Sequence, residues 1–165
     1  MTSAPTNLLD RVMTLGRVDL DPPHRQPAVA RVVLSTVLSI AGSLATDAAL
    51  VAIGTAVFPA TTGYVHFQFH DYARLTVIGV VIACAAWPVA THVTSAPRWV
   101  FVRLAVLVTL VLWLPDLWIL YRGQPGDAVG ILMVMHLAVA LVTYNLLVRL
   151  APVAPRGAAE ATASN

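Results

Sequence analysis

The stretch WVFVRLAVLVTLVLWLPDLWILY, residues 99–121, determines the class of this chain. About 20 apolar residues in a helix are enough to cross a bilayer, and the only charged residues in this stretch are Arg103 and Asp116. Pro115 and Asp116 are unexpected there, because a proline disrupts helical hydrogen bonding and a carboxylate in hydrocarbon is costly without a partner. The stretch therefore predicts a membrane-spanning helix with a polar contact near its end.

The composition of the whole chain agrees with a membrane protein. Of the 165 residues, 58% are hydrophobic and 11% are charged, with a mean hydropathy of +0.78. A soluble domain carries about 25% charged residues. The net charge of +2 is small and spread along the chain, so it does not indicate a nucleic-acid partner. Cys84 is the only cysteine, which excludes an intrachain disulfide and a cysteine-rich metal site.

Four apolar runs of membrane-spanning length divide the chain, and they cover residues 31–58, 71–92, 99–121 and 127–150. Short polar connections separate the later runs, as expected between antiparallel neighbours. We therefore predict an all-α protein, a four-transmembrane-helix bundle with up-down-up-down topology, over residues 31–150. The lipid bilayer is its principal partner.

The flanking segments are predicted to lie outside the membrane. Residues 1–30 form a leader in which residues 7–20 fit either a short interfacial amphipathic helix or a loosely ordered tail. Residues 151–165 are rich in alanine and proline and predict a disordered tail. The first apolar run starts late, is long and contains Asp47, which argues against a cleaved signal peptide.

The distribution of arginine predicts the orientation, since cytoplasmic connections carry an excess of basic residues. All basic residues are arginine, and eight fall on the side of the termini: Arg11, Arg17, Arg25, Arg31, Arg98, Arg103, Arg149 and Arg156. Arg74 and Arg122 fall on the opposite side. Both termini are therefore predicted to be cytoplasmic, in a multi-pass protein of a bacterial plasma membrane.

Polar residues of all four helices gather in the outer half of the predicted membrane. With a rise of ~1.5 Å per residue, Asp47 and His136 come out at nearly the same depth, and Asp116 lies roughly 9 Å further out. Arg74 lies about a turn beyond Asp116. One interpretation is a structural core in which Asp47 bonds to His136 and Asp116 pairs with Arg74. The other is a proton-responsive or ligand-binding cavity that opens to the outside.

Small residues form two further patterns. Ser35, Ser39 and Ser43 lie four residues apart and lead along one helix face to Asp47. This face is either a hydrated stripe or a packing surface whose hydroxyls bond back to the carbonyl four residues earlier. Residues 126–130 form a G-x-x-x-G motif, which predicts close packing within the bundle or a dimer contact.

The histidines offer a weak metal site. His66 and His70 are spaced i, i+4 and Asp71 follows them, so the two rings would share a face if the second helix began early. The alternative is a pair of exposed loop histidines, because zinc sites use three or four ligands. A haem between His136 and His70 is disfavoured by their difference in depth. We therefore predict no metal or other cofactor, and no motif of a catalytic site is present.

Three local features resemble an uncharacterised family of small actinobacterial membrane proteins with four predicted helices. They are the turn at residues 114–116 (Leu-Pro-Asp), the residues 135–137 (Met-His-Leu) followed by small residues, and the closing Arg149. The resemblance covers roughly residues 31–150 and implies the four-helix architecture. It implies no activity, ligand or catalytic residue, and neither Asp47 nor the His66/His70 pair belongs to it.

Three functional hypotheses follow from these patterns. The leading one is a non-enzymatic accessory or interaction subunit that associates with itself or with another membrane protein. The alternative is a small proton-coupled transporter or solute-binding protein that uses a polar cluster of Asp47, Asp116, His136 and Arg74. A second alternative is a redox subunit of the membrane that binds a metal or haem at its histidines.

Overall fold

The computed structural model describes residues 17–19 and 22–155. Within them, four long helices pack as a bundle: α1 (Val29–Val57), α2 (Phe69–Val93), α3 (Pro97–Tyr121) and α4 (Gly126–Leu150). Each is long and apolar enough to cross a membrane. The predicted all-α four-helix bundle is therefore confirmed, and every predicted helix boundary lies within about two residues of the observed one.

The connections follow from local backbone chemistry. The α1–α2 loop contains two 3-10 turns, Pro59–Thr61 and Val65–Phe67. Gly123 takes a φ of 87° in the short α3–α4 turn, a conformation that side-chain-bearing residues rarely adopt. Pro97 starts α3 at a position where its missing N–H is not needed. Pro115 does not end α3, which continues to Tyr121.

The ends of the described chain meet at one end of the bundle. A two-residue strand β1 (His24–Arg25) pairs antiparallel with β2 (Ala154–Pro155). We call this the terminal end, and the opposite end, which carries the α1–α2 loop and the α3–α4 turn, the loop end. Which side of the membrane each end faces stays a prediction from the arginine counts.

The predicted leader helix lies mostly outside the described residues, as does the tail from residue 156 onward. Of the predicted helix at residues 7–20 the structure describes residues 17–19, which are not helical. Val18 forms an isolated bridge with Thr94, and the hydroxyl of Thr94 donates to the Arg17 carbonyl over 2.5 Å. This end of the leader is therefore anchored on the α2–α3 turn.

The interior has two apolar clusters. Near the terminal end, Trp87 and Leu147 are fully buried and pack with Phe101. Near the loop end, Tyr72 and Met135 belong to a second cluster. Most other large apolar side chains of the described helices are exposed on the outside of the bundle, as expected for surfaces that contact lipid.

Close packing of α1 on α4 depends on glycines of α1. A Cβ built on Gly54 would lie 2.4 Å from Ile131 Cδ1 and 2.9 Å from Ile131 Cγ1. A Cβ on Gly42 would lie 3.2 Å from Val142 Cγ1. By contrast, a Cβ on Gly130 would meet nothing within 4 Å. The predicted close packing of the G-x-x-x-G motif within the bundle is therefore not made at Gly130, and a Cβ on Gly126 would make only an ordinary contact, 3.8 Å from Leu120 Cδ1.

Gly54→Ala is expected to destabilise the bundle by about 1 kcal/mol, because Ile131 must move to make room for the new methyl group. The matched control is Gly79→Ala, since a Cβ on Gly79 meets nothing within 4 Å and alanine favours a helix. Unfolding in mixed micelles measures both variants. Adding Ile131→Ala should relieve the loss of stability that is specific to Gly54→Ala. Equal effects of Gly54→Ala and Gly79→Ala on stability would contradict the close contact of Gly54 with Ile131.

Candidate functional site

Asp47 is the most deeply buried ionisable group of the described helices. Its side chain lies on α1 and has no exposed area. The hydroxyl of Thr76 on α2 donates to Asp47 Oδ2 over 2.7 Å. Asp47 Oδ1 is buried and has no hydrogen-bond partner in the described part of the chain. The carboxylate is thus only half satisfied, although hydrocarbon surrounds the bundle.

A second carboxylate lies against His136 of α4. Asp116 of α3 is buried, and its Oδ2 lies 3.0 Å from His136 Nδ1. The two atoms are close enough for a hydrogen bond, but they are not aligned well enough to form a regular one. The contact is therefore best described as an ion pair when the imidazole is protonated. His136 is also close enough to Asp47 for an electrostatic interaction, although its contact is with Asp116.

The α1–α2 loop approaches this pair at the loop end. Asp116 interacts electrostatically with both Tyr64 and His66, whose rings are in edge-to-face contact with centroids 5.4 Å apart. Burial raises the pKa of the Tyr64 phenol above its ordinary value, and the charge of Asp116 raises it further. Tyr64 therefore remains a neutral donor at neutral pH, next to the carboxylate.

The structure corrects the predicted pairs. Arg74 does not pair with Asp116; its Nη2 lies 3.8 Å from Asp71 Oδ1, an i,i+3 contact on the surface of α2. Nor does Asp47 bond directly to His136, since its donor is Thr76. Three of the four predicted cluster residues, Asp47, Asp116 and His136, come together, and Arg74 does not join them. We call these three residues, with Thr76, the polar cluster.

The weak metal candidates do not converge. Helix α2 begins at Phe69, so His66 lies in a 3-10 turn and does not share a helix face with His70. His70 Nε2 contacts Asp71 Oδ1 at 3.3 Å, while His66 is near Asp116. Among the residues that the structure describes, no three histidine, cysteine or acidic side chains are grouped to hold a metal ion.

The serine stripe of α1 divides into two parts. The Ser35 hydroxyl donates to the Arg31 carbonyl at 2.8 Å, the bond back to the helix that the packing interpretation predicts. The hydroxyls of Ser39 and Ser43 are buried and have no partner in the described ranges. All three serines are buried, as the packing interpretation predicts, but only Ser35 makes the predicted bond back to its own helix.

A groove lies between α1 and α4 toward the loop end. Its volume is about 430 Å³, and its lining includes Gly54, Asp127 and Val134. Gly126 and Gly130 line it as well. The G-x-x-x-G motif is thus turned toward the outside of the bundle, where another helix can approach it.

Three residues of this region were not predicted. The sequence does not indicate the contact of Thr76 with Asp47, because a threonine in an apolar helix ordinarily bonds to its own backbone. Thr143, buried and without a partner, resembles any small residue of a packed helix. Tyr64 lies in the α1–α2 loop, where an aromatic residue is typical of a membrane–water interface and does not indicate a buried contact. The i,i+3 spacing of Asp71 and Arg74, in contrast, could have indicated their pairing from sequence alone.

These observations define the chain as a multi-pass integral membrane protein with an ionisable cluster inside its helical bundle. Comparison with protein-family models, with curated proteins and with solved structures gives no match. The resemblance to small actinobacterial membrane proteins therefore stays a prediction, and function has to be inferred from this chain's own residues.

Proposed function

We propose that the chain is a non-enzymatic interaction subunit of a bacterial plasma membrane. Its contact surface is the glycine face, formed by Gly126 and Gly130 of α4 together with the groove beside them. The observation that supports this function is the open space at Gly130, where an added Cβ meets nothing within 4 Å. Lipid tails are as apolar as leucine, so helices associate in membranes chiefly where small residues allow close backbone contact.

The partner that fits the glycine face is a second copy of this chain. Two copies inserted in the same direction are related by an axis perpendicular to the membrane, so each residue keeps its height in the partner. The same α4 helix can then pack its glycines on those of its counterpart, as in right-handed G-x-x-x-G dimers.

Charge at the loop end supports the same occupant. Asp127 lines the groove, and Arg122 is exposed in the turn just before α4. In the described ranges, neither residue forms an ion pair within its own chain. Because both lie at the height of the α3–α4 turn, Asp127 of one copy faces Arg122 of the partner subunit across the axis. Two symmetric ion pairs then flank the glycine contact.

Gly130→Leu is expected to weaken self-association in bilayers at least tenfold, because the side chain holds the two α4 backbones apart. Energy transfer between labelled copies, followed as the lipid-to-protein ratio is raised, measures the association. The control is Gly79→Leu, which also adds a side chain at an open position but on α2.

The charges supply an independent test of the same interface. Asp127→Arg should weaken association, and the double variant with Arg122→Asp should restore it, because the pairs are re-formed with opposite signs. A wild-type chain that stays monomeric at high density in the bilayer would refute the proposal. So would equal association of Gly130→Leu and Gly79→Leu.

A further inference from the structure

Buried polar atoms without partners are confined to one region of the described chain. Seven buried side-chain atoms make no regular hydrogen bond in the described residues, and they belong to Tyr64, Asp116, His136, Asp47, Ser43, Ser39 and Thr143. This order follows the bundle from the loop end past the polar cluster into its interior. Two of the seven atoms, Asp116 Oδ2 and His136 Nδ1, lie 3.0 Å apart as the ion pair described above. A buried polar atom without a partner is costly in a dry, apolar interior, so the other five call for polar partners beyond the hydrogen bonds that the chain provides.

The hydroxyls in this region differ from others in the same helices. The hydroxyls of Thr36, Thr46 and Thr109 each donate to the carbonyl four residues earlier over 2.8 Å. Ser39 and Ser43 stand on the same kind of helix and make no such bond. The Ser43 proton is therefore available to a partner outside its own backbone, while the Ser39 hydroxyl lies close to the Cys84 thiol of α2.

The spacing of these hydroxyls suits water. Ser39, Ser43 and Asp47 follow one another by four residues, or ~6 Å along the helix. That separation is about twice an O–H···O distance of ~2.8 Å, so one water molecule can bridge each gap. Thr143 lies at the same level on α4, because its neighbour Val142 meets Gly42 of α1. Thr143 therefore supplies a hydroxyl from α4 at the height of the serines of α1.

The region is closed toward the terminal end. Ser35 comes next on α1, and its hydroxyl is already bonded to its own helix. Beside it the apolar cluster of Trp87, Phe101 and Leu147 fills the bundle, and the first and last of these are fully buried. Polar atoms that lack partners therefore end at Ser39.

We propose that these seven residues line a water-filled polar recess, which opens at the loop end and is closed between Ser39 and the terminal end. It gives water and protons from that side access to Asp47, without a path through the membrane. The groups that face Asp47 are Tyr72 and Thr76 from α2 and His136 from α4, with Asp116 beyond His136. Asp47 is then the proton-exchanging group at the inner part of a one-sided recess. This inference does not depend on self-association.

Cysteine chemistry tests the polar recess, because a thiol reacts as its thiolate, which forms in water and not in an apolar interior. In a Cys84→Ala background, Ser43→Cys and Ser39→Cys are exposed to silver ions, and the remaining thiol is counted with a fluorescent maleimide after denaturation. We expect both to react at least tenfold faster than Ser35→Cys, the matched control one turn further along the same face.

The direction of access is tested with a second substitution in the Ser43→Cys chain. His136→Phe, near the loop end, should slow the reaction at least tenfold, and Trp87→Phe, near the terminal end, should leave it unchanged. Thr143→Cys repeats the test from α4 if either serine variant fails to give a folded protein, as judged by its elution and melting. Equal rates for Ser43→Cys, Ser39→Cys and Ser35→Cys would overturn the proposal. A faster reaction with Trp87→Phe, together with no slowing by His136→Phe, would show that access is from the terminal end and would overturn the proposal.

Discussion

His136→Leu is expected to destabilise the bundle by about 2 kcal/mol, because it leaves the Asp116 carboxylate without its imidazole partner. Loss of one partner from a fully buried pair costs about 3–5 kcal/mol. The expected value is lower here because the His136 side chain keeps 31% of its surface exposed. Unfolding in mixed micelles at neutral pH measures the change.

The double variant His136→Leu/Asp116→Leu should be nearly as stable as the wild type, since it removes the charge together with its partner. His70→Leu is the control, because His70 is 70% exposed and lies outside the buried region. The single variant should recover part of its stability at low pH, where a lone Asp116 can take up a proton. A double variant less stable than His136→Leu alone would contradict the pairing.

The helices were predictable because their causes are local. Hydropathy over ~20 residues sets each span, and proline, glycine and charge mark the ends. The segments predicted at residues 31–58 and 127–150 became Val29–Val57 and Gly126–Leu150. No knowledge of neighbouring helices was needed for this agreement.

The partners inside the bundle were harder to predict, because they depend on helix rotation and tilt. Estimated depth placed His136 level with Asp47, yet its closest carboxylate is Asp116, roughly 9 Å away along the membrane normal in that estimate. A long side chain and a small rotation of α4 are enough to change the partner. The estimated depth in the membrane therefore indicated which polar residues lie in the same region, but not which of their atoms are in contact.

The glycines show the same limit. The G-x-x-x-G motif predicted a close contact within the bundle or a dimer contact, but the close contacts within the bundle are made at Gly42 and Gly54. These two glycines are 12 residues apart and match no short motif. Which glycine faces a neighbour depends on how α1 and α4 turn toward each other, and that is decided by the packing of the whole bundle.

Trp87→Ala is expected to have the largest effect on stability, a loss of about 3–5 kcal/mol. The Trp87 side chain is fully buried, its ring is in edge-to-face contact with Phe101 at 5.0 Å, and its Nε1 donates to the Ala151 carbonyl over 2.9 Å. Truncation removes the ring contacts and the bond that holds the end of α4. Trp87→Phe keeps most of the apolar area, so its loss should be about 1–2 kcal/mol, chiefly from the unpaired carbonyl.

Trp118→Ala is the matched control, because Trp118 is 60% exposed on the outside of α3 and its removal leaves no internal cavity. Equal losses for Trp87→Ala and Trp118→Ala would contradict the core position of Trp87. The same variant bears on the polar recess, since Trp87 belongs to the apolar cluster that closes it. If that closure is correct, Trp87→Ala makes Ser35→Cys reactive toward silver ions, because water can then reach Ser35 from the terminal end.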